Sequence, residues 1–220
     1  MKNFVLITSV INTPQKPLSY CKTRSIYSRE ERFLQLKQTI SSIREKIIDV
    51  FIFLVECTEL TDEENYFLNK NCDYVMNLWK DPSLHSNIFS RSKSLGEGSM
   101  TIYCLDYIIK NNITFENFFK ISGRYYLNDN FNYNNIISYP NVVVKIQNDP
   151  DNINTSLYKL SFNHILEFKQ FLLNSITRMI KCEGYEVIFA SFVNTLNELT
   201  YFEKIGVSGL IAVSGDIINT

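Results

Sequence analysis

Phe118-Phe119-Lys120-Ile121-Ser122-Gly123-Arg124-Tyr125-Tyr126 is an apolar run that stops abruptly on a glycine and an arginine. Three strand–helix alternations precede it, which makes it the fourth strand of a β/α series. In open sheets of this kind ligands bind outside the carboxyl ends of the strands. A glycine beside a guanidinium at that edge therefore points to an anion held close to the backbone. The anion expected there is a pyrophosphate, carried by a nucleotide-activated sugar.

Working outward, residues 3–10 are apolar and β-branched and read as a buried first strand. After a polar loop over 12–27, Ser28 and Glu31 have capping-box spacing, and Phe33, Leu36, Ile40, Ile43 and Ile47 recur at helical intervals. Residues 49–55 give a second buried strand, and Thr61 with Glu64 offers another capping box for a shorter helix. Residues 73–78 read as a third strand and 79–95 as a polar loop, while Met100, Tyr103, Cys104, Tyr107 and Ile108 mark one face of a further helix.

That order predicts right-handed crossovers and a mostly parallel sheet flanked by helices, an α/β fold of Rossmann-like kind. The C-terminal half changes character. Runs at 141–147 and 155–161 are separated by a short Asn-Asp-Pro-Asp loop and predict an antiparallel hairpin. Helices over about 163–181 and from Gly184, then a last strand around 201–207, complete the map.

The 220 residues suit a single domain, 1–220, read as a nucleotide-donor half (1–125) and an acceptor half (126–220). Lysine plus arginine (22) nearly balances aspartate plus glutamate (23), which argues against generic nucleic-acid or membrane-surface binding, so any anion site must be local. The apolar run at 4–11 is too short for a membrane span, and the expected location is cytoplasmic. Five scattered cysteines and two separated histidines form no metal-binding pattern. The chain's first glycine is Gly96, which removes the dinucleotide fingerprint and the usual glycine-rich methyltransferase loop; no P-loop or serine nucleophile elbow occurs either.

In this topology Thr8, Ser9, Glu56 and Ser122-Gly123-Arg124 leave the sheet along one edge, with Lys22, Arg24, Arg29, Arg91 and Lys93 on the loops around it. Hydroxyls and cations gathered at one crevice suit a phosphorylated small ligand. The helix opening at Ser28 could add backbone amides to the same site. Taken singly, Arg24, Arg29 and Lys93 also read as solvated loop charges, Arg124 as half of an ion pair, and Glu56 as an acceptor for a local amide.

The segments ITSVINTPQKPLSYCKTRSIYSREERFLQ, SKSLGEGSMTIY, FFKISGRYYLND and GYEVIF together resemble a group of small GT-A-fold glycosyltransferases known from large DNA viruses and some bacteria. The resemblance spans most of the chain and rests on overall pattern. It implies a nucleotide-sugar donor, a glycan or other hydroxyl acceptor, and, for a viral protein, the host cytoplasm. It also implies donor contacts for Thr8 and Ser9 on the first strand and for Thr23, Arg24, Ser25 and Arg32 on the first loop and helix. Glu56 would accept from base or ribose, and Lys93 with a Gly96-Glu97-Gly98 turn would hold the donor near its phosphates, beside Ser122 and Gly123.

One departure concerns the metal. GT-A enzymes usually carry Asp-x-Asp after the fourth strand to hold Mn²⁺ or Mg²⁺, where this chain has Ser122-Gly123-Arg124. Arg124 could do the cation's electrostatic work. Asp149-Pro150-Asp151 matches the pattern literally but falls in the hairpin loop, and Asn128 with Asp129 lies within reach from the next turn. Inversion requires a base beside the acceptor hydroxyl. Glu186, in the apolar frame around Tyr185 and 187–189, is the first candidate and Asp129 the second; Glu186 equally fits a helix N-terminal carboxylate. Two other classes stay open: a non-catalytic nucleotide- or glycan-binding module, and a nucleotidyltransferase. The latter normally has a Gly-Arg-rich loop after the first strand, which this chain lacks.

Overall fold

The computed structural model describes residues 1–145 and 151–220. The first strand, β1 (Asn3–Ser9), is buried throughout. Helix α1 (Arg29–Lys46) starts with the reciprocal capping box of Ser28 and Glu31. Strand β2 (Val50–Glu56) and helix α2 (Asp62–Asn71) follow, the helix opened by the Thr61–Glu64 box. Each such cap contributes about 1 kcal/mol.

Strand β3 (Tyr74–Asn77) leads into α3 (Pro82–Ile88), α4 (Lys93–Lys110) and β4 (Asn117–Ser122). The chain continues through β5 (Tyr125–Leu127), α5 (Tyr133–Ile137), β6 (Asn141–Lys145) and β7 (Ile153–Ser161). A 3₁₀ turn at Phe162–His164 enters α6 (Ile165–Asn174), α7 (Ile176–Ile180) and α8 (Tyr185–Val193). Strands β8 (Leu199–Phe202), β9 (Val207–Leu210) and β10 (Ile217–Asn219) end the chain.

Among the described residues the main sheet runs β3-β2-β1-β4-β7-β6-β8. The pairs joining β3, β2, β1 and β4 are parallel; β7 is antiparallel to β4 and to β6, and β8 is parallel to β6. This is a GT-A-like α/β architecture. Side-chain alternation divides the core between the two faces. Phe4, Leu6, Phe53 and Phe118 meet α4, α6 and α8, whereas Val5, Ile7, Phe119 and Ile121 meet α1.

Several sequence expectations need correction. The stretch read as a polar loop over 79–95 contains α3 and the start of α4, and Gly96-Glu97-Gly98 is helix rather than turn. The glycines serve close packing: a Cβ on Gly96 would lie 3.0 Å from the Ile88 carbonyl oxygen, and one on Gly98 would strike the Met179 thioether. The helix expected over 163–181 breaks at Ser175, after which α7 seats Met179 against α4. The single last strand is three strands, two of which join β5 in a small antiparallel sheet ordered β10-β9-β5. No helix among the described residues is long and apolar enough to cross a membrane.

Candidate active site

Parallel pairing sets Thr8 opposite Ser122 at the carboxyl edge, on the sheet face that packs against α4. They border a cavity of about 260 Å³ whose walls include Ser9, Arg24, Arg32, Lys93, Glu97, Arg124, Tyr125 and Glu186. A second cavity of about 130 Å³ shares Lys93, Glu97, Ser122, Arg124 and Glu186 with the first and adds Asn154, Thr155 and Ser156 of β7.

Three arginines reach the larger cavity from three elements. Arg124 follows β4 directly, donates to Ser122 Oγ at 3.1 Å and the Tyr125 hydroxyl at 3.0 Å, and lies over the Tyr125 ring at 4.6 Å. Arg32, one turn into α1, is almost fully buried and donates to the Val10 carbonyl from Nε and Nη2 at 3.3 and 3.1 Å. Arg24, on the loop after β1, donates to the Ile88 carbonyl at 3.3 Å.

Each keeps buried nitrogen with no partner among the described residues: Nε of Arg124, Nη1 of Arg32, and Nε and Nη2 of Arg24. Burial of such donors is costly unless something accepts from them. Burial and the charge of Arg124 push the Arg32 guanidinium down to about 10, against the pull of Glu56. Burial likewise lowers Arg24.

The carboxylates are arranged differently. Glu97, on the first turns of α4, binds the fully buried Lys120 of β4. Burial pushes its carboxyl up, but Lys120, Lys93 and Arg124 outweigh that and hold it below the usual carboxylate range. Glu186, the second residue of α8, lines both cavities and accepts from Thr155 Oγ1 at 3.4 Å. It belongs to the charges that favour the Arg124 cation against its burial.

Other residues singled out in the sequence are placed elsewhere. Glu56 is fully buried, and its Oε1 accepts the amides of Ile11 and Cys57 at 3.0 Å, so it braces the turn after β1 and is not a wall of either cavity. Gly123 donates its amide to the Thr8 carbonyl at 2.9 Å, and a Cβ there would meet Leu36 and Ser9 at 3.0 Å. Its missing side chain lets α1 approach the sheet, and its amide is not offered to an anion.

Thr23 and Ser25 bond within the loop, where Thr23 Oγ1 donates to the Ser25 carbonyl. Arg29 turns away to Glu64 and the Glu59 carbonyl, and the Ser28 hydroxyl takes the Glu31 amide, so the end of α1 supplies no cavity wall. Asp129 pairs with Lys46 at 3.2 Å at the far end of α1. Fourteen residues of helix separate Lys46 from Arg32, roughly 21 Å, because β5 carries the chain back along α1. Asp149-Pro150 lies outside the described residues.

The sequence reading missed the cavity's apolar rim. Leu18 and Tyr20 come from the first loop, and Ile211, Ala212, Val213 and Ile218 from the chain end. The two segments meet where the Ile26 amide donates to the Ala212 carbonyl at 2.8 Å. The available signal was Val207-Ser208-Gly209-Leu210 followed by Ser214-Gly215-Asp216, a strand and tight turn at the point where only one strand was expected.

No protein-family model and no curated protein sequence matches the chain. Solved structures do share its fold. The CTP:phosphocholine cytidylyltransferase of Streptococcus pneumoniae superposes with TM-score 0.54 at 11% identity, over 98% of this chain and 96% of that one. A nucleoside-diphosphate-sugar pyrophosphorylase of Vibrio cholerae RC9 gives 0.55 at 8% identity, over 96% of each chain. A glycosyltransferase involved in the glycosylation of the major capsid of PBCV-1 gives 0.49 at 10% identity, over 92% of this chain and 82% of that one.

Proposed function

We propose that this chain is a glycosyltransferase that takes a sugar from a nucleotide-sugar donor and passes it, with inversion, to a hydroxyl of a glycan or similar acceptor. The observation that carries the reading is the convergence of Arg24, Arg32 and Arg124, each with a partnerless buried nitrogen, on one cavity at the carboxyl edge of the sheet. Guanidinium forks match phosphate oxygens in geometry and charge. The apolar rim of Leu18, Tyr20 and Ile211–Val213 would cover the nucleoside.

As the glycosidic bond breaks, negative charge gathers on the departing diphosphate. Arg124 and Arg32, held by Ser122, Tyr125 and the Val10 carbonyl, would stabilise it without reorganisation at the moment of reaction, and Lys93 on the same cavity wall would add its charge. Glu186 lines both cavities and would take the acceptor's proton. Glu97, committed to Lys120, shapes the field and is not the base. The donor contacts thus come mainly from residues 1–125, and the base with Thr155 and Ser156 from 126–220.

Product analysis tests the reading. UDP-, GDP-, CMP- and dTDP-sugars are supplied with hydroxyl acceptors, and in parallel nucleoside triphosphates with sugar 1-phosphates. The proposal expects free nucleotide and an inverted glycoside from one donor. Pyrophosphate release from a triphosphate would identify nucleotidyl transfer, and donor binding without turnover on any acceptor would identify a binding module.

A further inference from the structure

We infer that the site neutralises the donor's diphosphate with its own fixed cations and requires no divalent metal there. The inference rests on the donor reading above and concerns how that same site handles charge. Fold resemblance implies a metal held by acidic residues after β4, and the residues present do not fit one.

Ser122-Gly123-Arg124 offers no carboxylate. A side chain at position 123 would crowd Leu36 and Ser9, which a Cβ alone already meets at 3.0 Å. Of the two carboxylates that face the cavity, Glu97 is engaged by Lys120, which leaves Glu186, beside the Arg124 charge, alone and short of the carboxylate pair a metal would need. Among the described residues, no cluster of three or more His, Cys, Asp or Glu could hold a metal ion.

Charge matching points the same way. Arg24, Arg32, Lys93 and Arg124 line the larger cavity against Glu97 and Glu186, while Lys120 lies behind Glu97 and burial pushes the Glu56 carboxyl up. The walls carry an excess of two positive charges, equal to the two negative charges of a diphosphate diester. A dication added among these groups would be repelled by every guanidinium that could reach the phosphates. Burial, and after it the charge of Arg124, lowers Arg32, in line with guanidiniums gathered on one cavity wall.

The test uses the unmodified chain, so that a metal held anywhere in it, Asp149 and Asp151 included, would be detected. UDP, GDP, CDP and dTDP are titrated calorimetrically after dialysis against EDTA, and again with Mn²⁺ or Mg²⁺. The inference expects one diphosphate to bind with a Kd that agrees within about threefold between the two conditions. Binding that appears only with metal, or tightens by more than about tenfold, overturns the inference and leaves the donor reading standing. Absence of binding in every condition overturns both.

Discussion

Arg124 is held by immediate neighbours, Ser122 Oγ and the Tyr125 hydroxyl and ring, and so keeps its Nε free for a ligand. Arg124→Gln should weaken nucleoside diphosphate binding by about 10²-fold, the effect of losing one or two charge-assisted hydrogen bonds, as read by calorimetry. Glu186→Gln should separate binding from chemistry: kcat falls about 10²- to 10⁴-fold while donor Kd stays put. Unchanged turnover would remove Glu186 from the mechanism. At this scale Thr8, Ser122 and Arg124 were legible, because strand alternation and the end of an apolar run are local signals. Asp129 was not: the direction the chain takes after Arg124 is set by β5 pairing with β9, some eighty residues later. Glu56 and Gly123 were read as edge residues beside the donor, yet neither lines a cavity, since what a buried edge group faces depends on α1 and the turn after β1.

Elements that begin with a polar cap or repeat at helical spacing were readable, and α1, α2, β1, β2 and β4 formed close to expectation. Helix α4 was misjudged at its start because glycine favours turns in isolation. In the fold, Gly96 allows α3 to lie against α4, which brings Lys93 and Glu97 to the cavity. The small sheet was missed because its strands are short and far apart in sequence. Gly206, with φ +81°, begins its β9 arm, and an added Cβ would collide with the backbone of Phe131. Gly206→Ala should therefore cost about 2–4 kcal/mol by urea denaturation, combining the φ penalty with the clash. It should also weaken nucleotide binding by loosening the rim at Ile211–Val213. A variant as stable as the parent would contradict this role for the turn.

Over the whole molecule, near-neutral charge hides the cavity's local excess, so composition gave no means of locating the site. Fold class followed from element order. The placement of β7 between β4 and β6 did not, because antiparallel insertion leaves no local mark. Another buried cation, Lys159, donates to the carbonyls of Tyr139 and Pro140, and burial pushes its pKa down to about 8. Between that value and its ordinary 10.5 the unfolded chain holds more protons, so this group makes stability rise with pH across the window, and its penalty is complete below it. The buried thiols of Cys57 and Cys72, pushed up to about 12 by burial, act oppositely above about 9. Denaturation of the parent and Lys159→Met from pH 7 to 10.5 should show the parent gaining relative to the variant; a constant difference would contradict the buried ammonium. The central claim, that Arg24, Arg32, Lys93 and Arg124 form a diphosphate site, is tested most directly by calorimetric titration of matched nucleoside mono- and diphosphates. The account predicts that one diphosphate binds at least about tenfold tighter than its monophosphate, a preference that Arg124→Gln removes. Equal affinity for the pair, or a preference that survives the substitution, would contradict it.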